Sequence, residues 1–376
     1  MSIGLAGPQL WLVPAVVTTA GAYLLGRRRW SPAPRWSAVA AVALFWMLNG
    51  VVVVLEPRLY RLAAFDRQYT VARVADYAEF PHTPDVVFMG DSRALSGFAP
   101  AVADAELGEA LGRPVRTFNL SMTGARLNLE YLSLKNMISD DKKPSVVVLG
   151  LSEFAFVPLP GEDRTMTARF PLASTLLRWD DAEFADPGLA GEGRFALRNL
   201  VPLYRDSPLL RRALSVAFNP SDPAHQWYDG PTRWKWARDG SYIPGSGVRN
   251  PTVDDARNTY YAALQQFTLS PDSVHTLERI LDLADRRHIR VVLVNMPVSE
   301  VQQGWWRDPA AMAEYRDTVR DVARRRGTSY LDAYDRMERQ IPPEHFWDPS
   351  HLNLDGATIL TRRVSRQYVA PLLRDG

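Results

Sequence analysis

The chain contains no cysteine. That excludes disulfides, thiolate metal sites and cysteine nucleophiles, and it fits an oxidising compartment. Net charge is nearly absent as well. Lys and Arg number 44 against 42 Asp and Glu, leaving +2, and the basic residues are scattered, which argues against a nucleic-acid binder. No spaced set of carboxylates and histidines marks a metal site. His345 lies close to His351 but without further ligands, so it reads as a structural or substrate-contacting residue, and neither metal nor cofactor is expected.

Charge is also missing from two long stretches, Ile3 to Gly26 and Trp36 to Leu55. At 1.5 Å per residue each is long enough to cross a hydrocarbon core of about 30 Å. Two membrane spans are therefore expected, the first carrying Pro8 and Pro14, which membrane helices tolerate. A cleaved signal peptide fits poorly, because the first stretch has no basic leader and the second is too long for an apolar signal core. The loop between them holds Arg27, Arg28, Arg29 and Arg35. That density places the loop in the cytoplasm and both termini outside. Arg58, Arg61, Arg67 and Arg73 follow the second span, so density rather than count sets the orientation.

What remains is apolar enough, at 46% of 376 residues, to bury a full core. A hairpin at 1–57 and a connector at 58–84 lead to a domain at 85–376. Its pattern alternates: strand Val86–Met89, helix Ala101–Leu111 closed by Gly112, strand Val115–Leu120, helix Arg126–Ser139, strand Val146–Leu149. Alternation at this spacing predicts a parallel, doubly wound α/β sheet. The pattern lapses over 154–269, a length better read as an inserted, partly helical cap than as a loop. Order resumes at Ser270-Pro271, an N-cap followed by proline at the first helical position, with a helix to His288. Strand Arg290–Asn295, helix Pro309–Arg326, strand Ser329–Leu331 and a last helix from Gly356 complete the unit.

The stretch that concentrates chemistry is Val86-Val-Phe-Met-Gly90-Asp91-Ser92-Arg93. A buried strand breaking at Gly-Asp-Ser holds a hydroxyl at the carboxyl edge of the sheet, where parallel α/β proteins keep their sites. A serine becomes a nucleophile when a base takes its proton and a third group orients that base. His351 and Asp348, three residues apart near the other end of the chain, are the candidates. An oxyanion would need the Ser92 N–H and a second donor from a closely approaching loop, a role that suits Gly124 in Asn119-Leu-Ser-Met-Thr-Gly124. Arg93 and Asn119 are candidate substrate contacts. Trp227, Trp234, Trp236, Trp305 and Trp306 raise the prospect of a sugar-stacking surface.

Four blocks, Gly90-Asp-Ser92, Asn119 to Gly124, Gly150-Leu-Ser152-Glu153 and Asp348-Pro-Ser-His351, resemble in type and order those of the SGNH, or GDSL, hydrolase superfamily. The resemblance implies a flavodoxin-like three-layer sheet, Ser92 as nucleophile, Gly124 as an oxyanion donor and Asp348 with His351 completing the triad. The third block of that superfamily reads Gly-x-Asn-Asp, its asparagine being a further oxyanion donor; here Ser152 stands in that place. An N-terminal hairpin before such a domain resembles the membrane-anchored branch that includes the alginate O-acetylation proteins and the D-alanyl transfer protein of teichoic acid synthesis. This implies an extracytoplasmic serine acyltransferase acting on a cell-surface glycan or glycopolymer, beside a membrane-bound O-acyltransferase. The same groups with water as acceptor make an esterase. A degenerate scaffold would make a non-catalytic polymer-binding protein of the envelope. The sequence leaves these three open.

Overall fold

A computed structural model describes residues 12–29, 32–63, 70–158, 176–185, 188–219, 234–236, 242–244, 261–336 and 340–374. Along the chain come α1 (Leu12–Arg29), α2 (Pro32–Ala63), α3 (Thr70–Glu79), β1 (Val86–Gly90), α4 (Ser92–Gly97), α5 (Pro100–Leu111), β2 (Thr117–Asn119), α6 (Leu127–Leu132) and β3 (Val146–Leu151). Then follow α7 (Leu189–Leu200), α8 (Pro202–Arg205), α9 (Ser207–Phe218), β4 (Trp234–Trp236) and β5 (Tyr242–Pro244). The last are α10 (Pro271–Arg286), β6 (Arg290–Asn295), α11 (Glu300–Gln303), α12 (Pro309–Arg325), β7 (Ser329–Asp332) and α13 (Leu354–Val364). The chain divides into two compact units: Met1–Ala75 with Gly161–Asp229, and Asp76–Pro160 with Gly230–Gly376. Residues 161–229 of the expected insert thus group with the N-terminal helices.

In the second unit β2, β1, β3, β6 and β7 form one five-stranded sheet in that order, every pair parallel. Counting the strands of this sheet alone, the order is 2-1-3-4-5, the doubly wound arrangement of flavodoxin-like folds. β1 and β3 are buried along their whole length. Strands covered on both faces need apolar residues at every position, which is why Val86–Met89 and Val146–Leu149 read as continuous runs. Val86, Phe88, Val148 and Val294 share one core with α4, α5 and α13. The register sets Gly90 opposite Gly150 and Asn295 opposite Leu151 and Asp332, so the carboxyl ends of four strands lie level.

Two elements depart from the sequence reading. The helix expected over Arg126–Ser139 is α-helical only to Leu132 and continues as a π-helical turn, Ser133–Met137. The Ser133 hydroxyl donates to the Leu129 carbonyl at 2.7 Å, competing with the regular ladder. β2 is shorter than Val115–Leu120: Asp85 instead binds Arg116, its amide donating to the Arg116 carbonyl and its carboxylate accepting from the Arg116 N–H. The N-cap at Ser270 forms as expected, its hydroxyl accepting from Ser273 N–H.

In the first unit α1 and α2 pair antiparallel: Trp46 Nε1 donates to Thr18 Oγ1 at 2.8 Å, and Tyr23 meets Trp36 at 5.8 Å between ring centres. Among the described residues one helix is long and apolar enough to cross a membrane, α2 over Trp36–Leu55, and most of that stretch is not buried by the protein. The apolar part of α1 is the shorter Ala15–Leu24. Residues 3–11 of the expected first span lie outside the described residues.

Candidate active site

Ser92 is the first residue of α4, directly after β1, between the strand pairs that diverge to β2 and to β3. This is the switch point of the sheet, where neighbouring connections leave in opposite directions and open a crevice. The turn depends on Gly90, whose φ is +143°. A Cβ there would come within 2.6 Å of both Ala94 Cβ and the Gly150 carbonyl oxygen. Asp91 is the N-cap: one carboxylate oxygen accepts from the Arg93 N–H at 2.9 Å.

His351 reaches this turn from 259 positions away, its Nε2 lying 2.8 Å from Ser92 Oγ. Its Nδ1 lies 2.8 Å from Asp348 Oδ2 and 2.9 Å from Oδ1. Two backbone donors, Ser350 N–H at 2.7 Å and His351 N–H at 2.8 Å, also point at Asp348 Oδ1. A carboxylate facing Nδ1 fixes the proton there in the neutral ring and leaves Nε2 free to accept the serine proton. Around this turn, Trp347 N–H donates to the His351 carbonyl, and Asn353 caps α13 by accepting from Asp355 and Gly356 N–H.

Burial presses the His351 pKa down, but the Asp348 charge and hydrogen bond outweigh it, and the net shift is upward from 6.5. Burial raises the Asp348 carboxyl, while the imidazole and the two N–H donors more than reverse this and hold it below the usual range. The pair is thus tuned towards an ionised acid beside an imidazole of strengthened basicity.

The structure puts several sequence candidates elsewhere. Ser152 is buried and its Oγ donates to Asp91 Oδ2 at 2.6 Å, so its proton is committed to the turn that carries Ser92 rather than to an oxyanion. Arg93 is 1% exposed and forms a fork with Glu153 at 2.6 and 2.7 Å, which removes it as a contact for an acidic substrate. Asn119 is fully buried. Its Nδ2 faces the carbonyls of Ala94, Leu95 and Phe98, closing the end of α4 in place of touching substrate. Trp305 and Trp306 are buried with Leu264, and Trp306 Nε1 donates to Tyr334 OH, so neither offers an open face for a sugar ring. Trp227 and the side chains of Trp234 and Trp236 lie outside the described residues. Gly124 sits in the turn from Met122 to Ala125 with φ +68°, and Met122 N–H donates to the Gly90 carbonyl at 2.8 Å, fastening that loop to the end of β1.

Sequence reasoning did not find the buried chain behind the triad. Ser350 Oγ donates to Gln302 Oε1, Gln302 Nε2 donates to Glu153 Oε1 at 2.7 Å, and Arg93 closes the chain on Glu153. Burial would raise the Glu153 carboxyl, but Arg93 and Gln302 hold it below the usual range. Glu130, equally buried, goes the other way: burial and the nearby Asp91 charge push it well up, against the Gly90 N–H. An acidic residue directly after the strand-end Ser152 and a basic one directly after Ser92 were the available signal.

No family model matches the chain, and no curated protein matches it. Among solved structures it is similar to a Bacteroides fragilis protein assigned as an acylhydrolase, with 13% identity over 79% of this chain and 93% of that one, at a TM-score of 0.37. It is also similar to a lipase/acylhydrolase from Enterococcus faecalis, with 13% identity over 75% and 95% and a TM-score of 0.34. At these scores neither likeness bears on what this chain does.

Proposed function

We propose that this chain is a membrane-anchored serine acyltransferase that moves an acetyl or similar small acyl group to a cell-surface glycan or glycopolymer. The observation that carries this is the relay from Ser92 Oγ through His351 to Asp348, with both contacts at 2.8 Å. Ser92 Oγ attacks the acyl carbonyl of a donor as Nε2 takes its proton. The tetrahedral intermediate collapses, the donor's leaving oxygen takes that proton from His351, and the acyl group remains on Ser92. A sugar hydroxyl then gives its proton to Nε2 and attacks the acyl-serine. Ser92 leaves with the proton, and the ester is on the sugar.

The negative oxygen of each intermediate needs donors, and the backbone N–H groups of Ser92 and Gly124 are assigned that role. Asp348 keeps the imidazole in the reactive tautomer and stabilises its charged form. Anchorage is read from α2, the described helix long and apolar enough to cross a membrane, and the arginine-rich loop before it supports an orientation with the catalytic unit outside the cytoplasm. Attachment beside the membrane favours transfer from a membrane-delivered donor over release to water.

The test supplies the purified full chain with an activated acetyl ester and an oligosaccharide acceptor. Acetylated oligosaccharide is expected to exceed free acetate, and Ser92→Ala to remove both. Free acetate alone would make the chain an esterase, and activity unchanged in Ser92→Ala would end the serine mechanism.

A further inference from the structure

We propose that the segment Leu189 to Phe218 is itself immersed in the bilayer, its apolar face covered by phospholipid acyl chains in the leaflet at the Leu55 end of α2. This rests on the reading of Trp36–Leu55 as a span. Three observations within the first unit converge on it.

The first is where the segment is tied. α8 and α9 pack on α2, and Leu203 N–H donates to Asn49 Oδ1 at 2.8 Å. Asn49 is fully buried and returns its own amide proton to the Phe45 carbonyl. It lies six residues before Leu55, about 9 Å inside the end of the span at 1.5 Å per residue. An amide N–H at the start of a helix has no partner within that helix. At membrane depth no water can supply one, and a buried asparagine on the neighbouring helix does.

The second is how charge is handled. Arg205 and Asp206, in the bend between α8 and α9, are buried and joined by two hydrogen bonds of 2.9 Å. A paired, neutral arrangement is what ionisable side chains adopt in an apolar surrounding.

The third is what is left uncovered. α7 buries Gly191 and Phe195 but exposes Leu189, Leu197 and Leu200, which fall within an arc of roughly 80° at 100° per residue. α9 buries Leu209 and Ala213 but exposes Leu214 and Phe218, the latter by 80%. α2 buries Trp46, Asn49 and Val52 and exposes Leu44, Met47, Val51 and Val54. The exposed apolar residues of α7 and α9 thus belong to the same compact unit as the lipid-facing side of α2. Arg194 on α7 and Arg211 on α9 are exposed and supply the basic flank typical of a helix lying in the interface.

Because the chain has no cysteine, single introduced thiols report without background. Leu197→Cys and Phe218→Cys, each labelled with a polarity-sensitive fluorophore, are reconstituted as full chains in phosphatidylcholine and phosphatidylglycerol vesicles. Met47→Cys serves as the span reference and the exposed Arg324→Cys as the water reference. The expected result is blue-shifted emission at 197 and 218, quenched several-fold more by lipids spin-labelled at shallow and deep positions along the acyl chain than by aqueous iodide. Quenching by iodide would overturn the proposal. So would a blue shift that neither quencher reduces, which would mean a protein covers the face. If Met47→Cys also escapes lipid quenching, the span reading falls and takes the proposal with it. If Met47→Cys is quenched and positions 197 and 218 are not, only the proposal fails.

Discussion

Ser152 shows how one hydrogen bond decides between two roles. As an oxyanion donor its loss would cut kcat by 10²- to 10³-fold, on the order seen when one such donor is removed, with stability unchanged. Its hydroxyl faces the Asp91 carboxylate instead, and hydrogen bonds to charged groups contribute about 1.5–3 kcal/mol. Ser152→Ala is therefore expected to lower the thermal midpoint, and calorimetry alongside kinetics separates the two roles. His351 carries a second expectation at this scale. The neutral imidazole is the active base, so kcat/KM falls as pH drops through its pKa. Because Asp348 lifts that pKa above 6.5, the acid limb should lie above pH 6.5. In Asp348→Asn the lifting charge is gone and burial becomes the largest influence, so the limb should move to lower pH while kcat falls by about four orders of magnitude. An unmoved limb would show that Asp348 does not set the imidazole.

Between elements, the ends of β1 and β3, the short helix α11 and the turn before α13 are joined by side chains as well as by backbone. Arg93 and Glu153 are both 1% exposed. Removing the cation alone strands a buried carboxylate, and Arg93→Met is expected to destabilise the fold by about 3–5 kcal/mol by denaturant unfolding. A loss below about 1 kcal/mol would show that the pair is not closed off from water. This network was not legible in the sequence, since its contacts span 60 and 149 positions and leave no local period. The strands were legible because a sheet covered on both faces demands unbroken apolar runs, and the α10 start because its cap is a local bond. The Ser133 back-bond and the Asp85–Arg116 contacts were not, since each replaces a regular ladder by a side-chain hydrogen bond. The meeting of Ser92, Asp348 and His351 was foreshadowed by the strand that breaks at Gly-Asp-Ser, the three-residue spacing of Asp348 and His351, and the order of the four blocks, and the structure brings the three side chains together. The side chains assigned by residue type alone, Arg93, Asn119, Trp305 and Trp306, proved to be held within the fold.

At the scale of the whole molecule, the grouping of residues 161–229 with the N-terminal helices makes that part of the expected insert belong to the unit that holds α2. Asn49→Leu would take the acceptor from the half-buried Leu203 N–H, a cost of about 1 kcal/mol. It should loosen this unit, read as faster cleavage within it by protease added to proteoliposomes. Cleavage at the parent rate would mean the bond is dispensable. Orientation is a separate expectation: a C-terminal reporter active only outside the cytoplasm should be on, and silence would reverse the placement. Everything functional, however, rests on Ser92 being a nucleophile. The most direct measurement is peptide mass spectrometry after exposure of the folded chain to a fluorophosphonate. One adduct is expected, on Ser92, lost in His351→Ala. An unmodified Ser92, or an adduct that forms as fast without the imidazole, would contradict the serine mechanism.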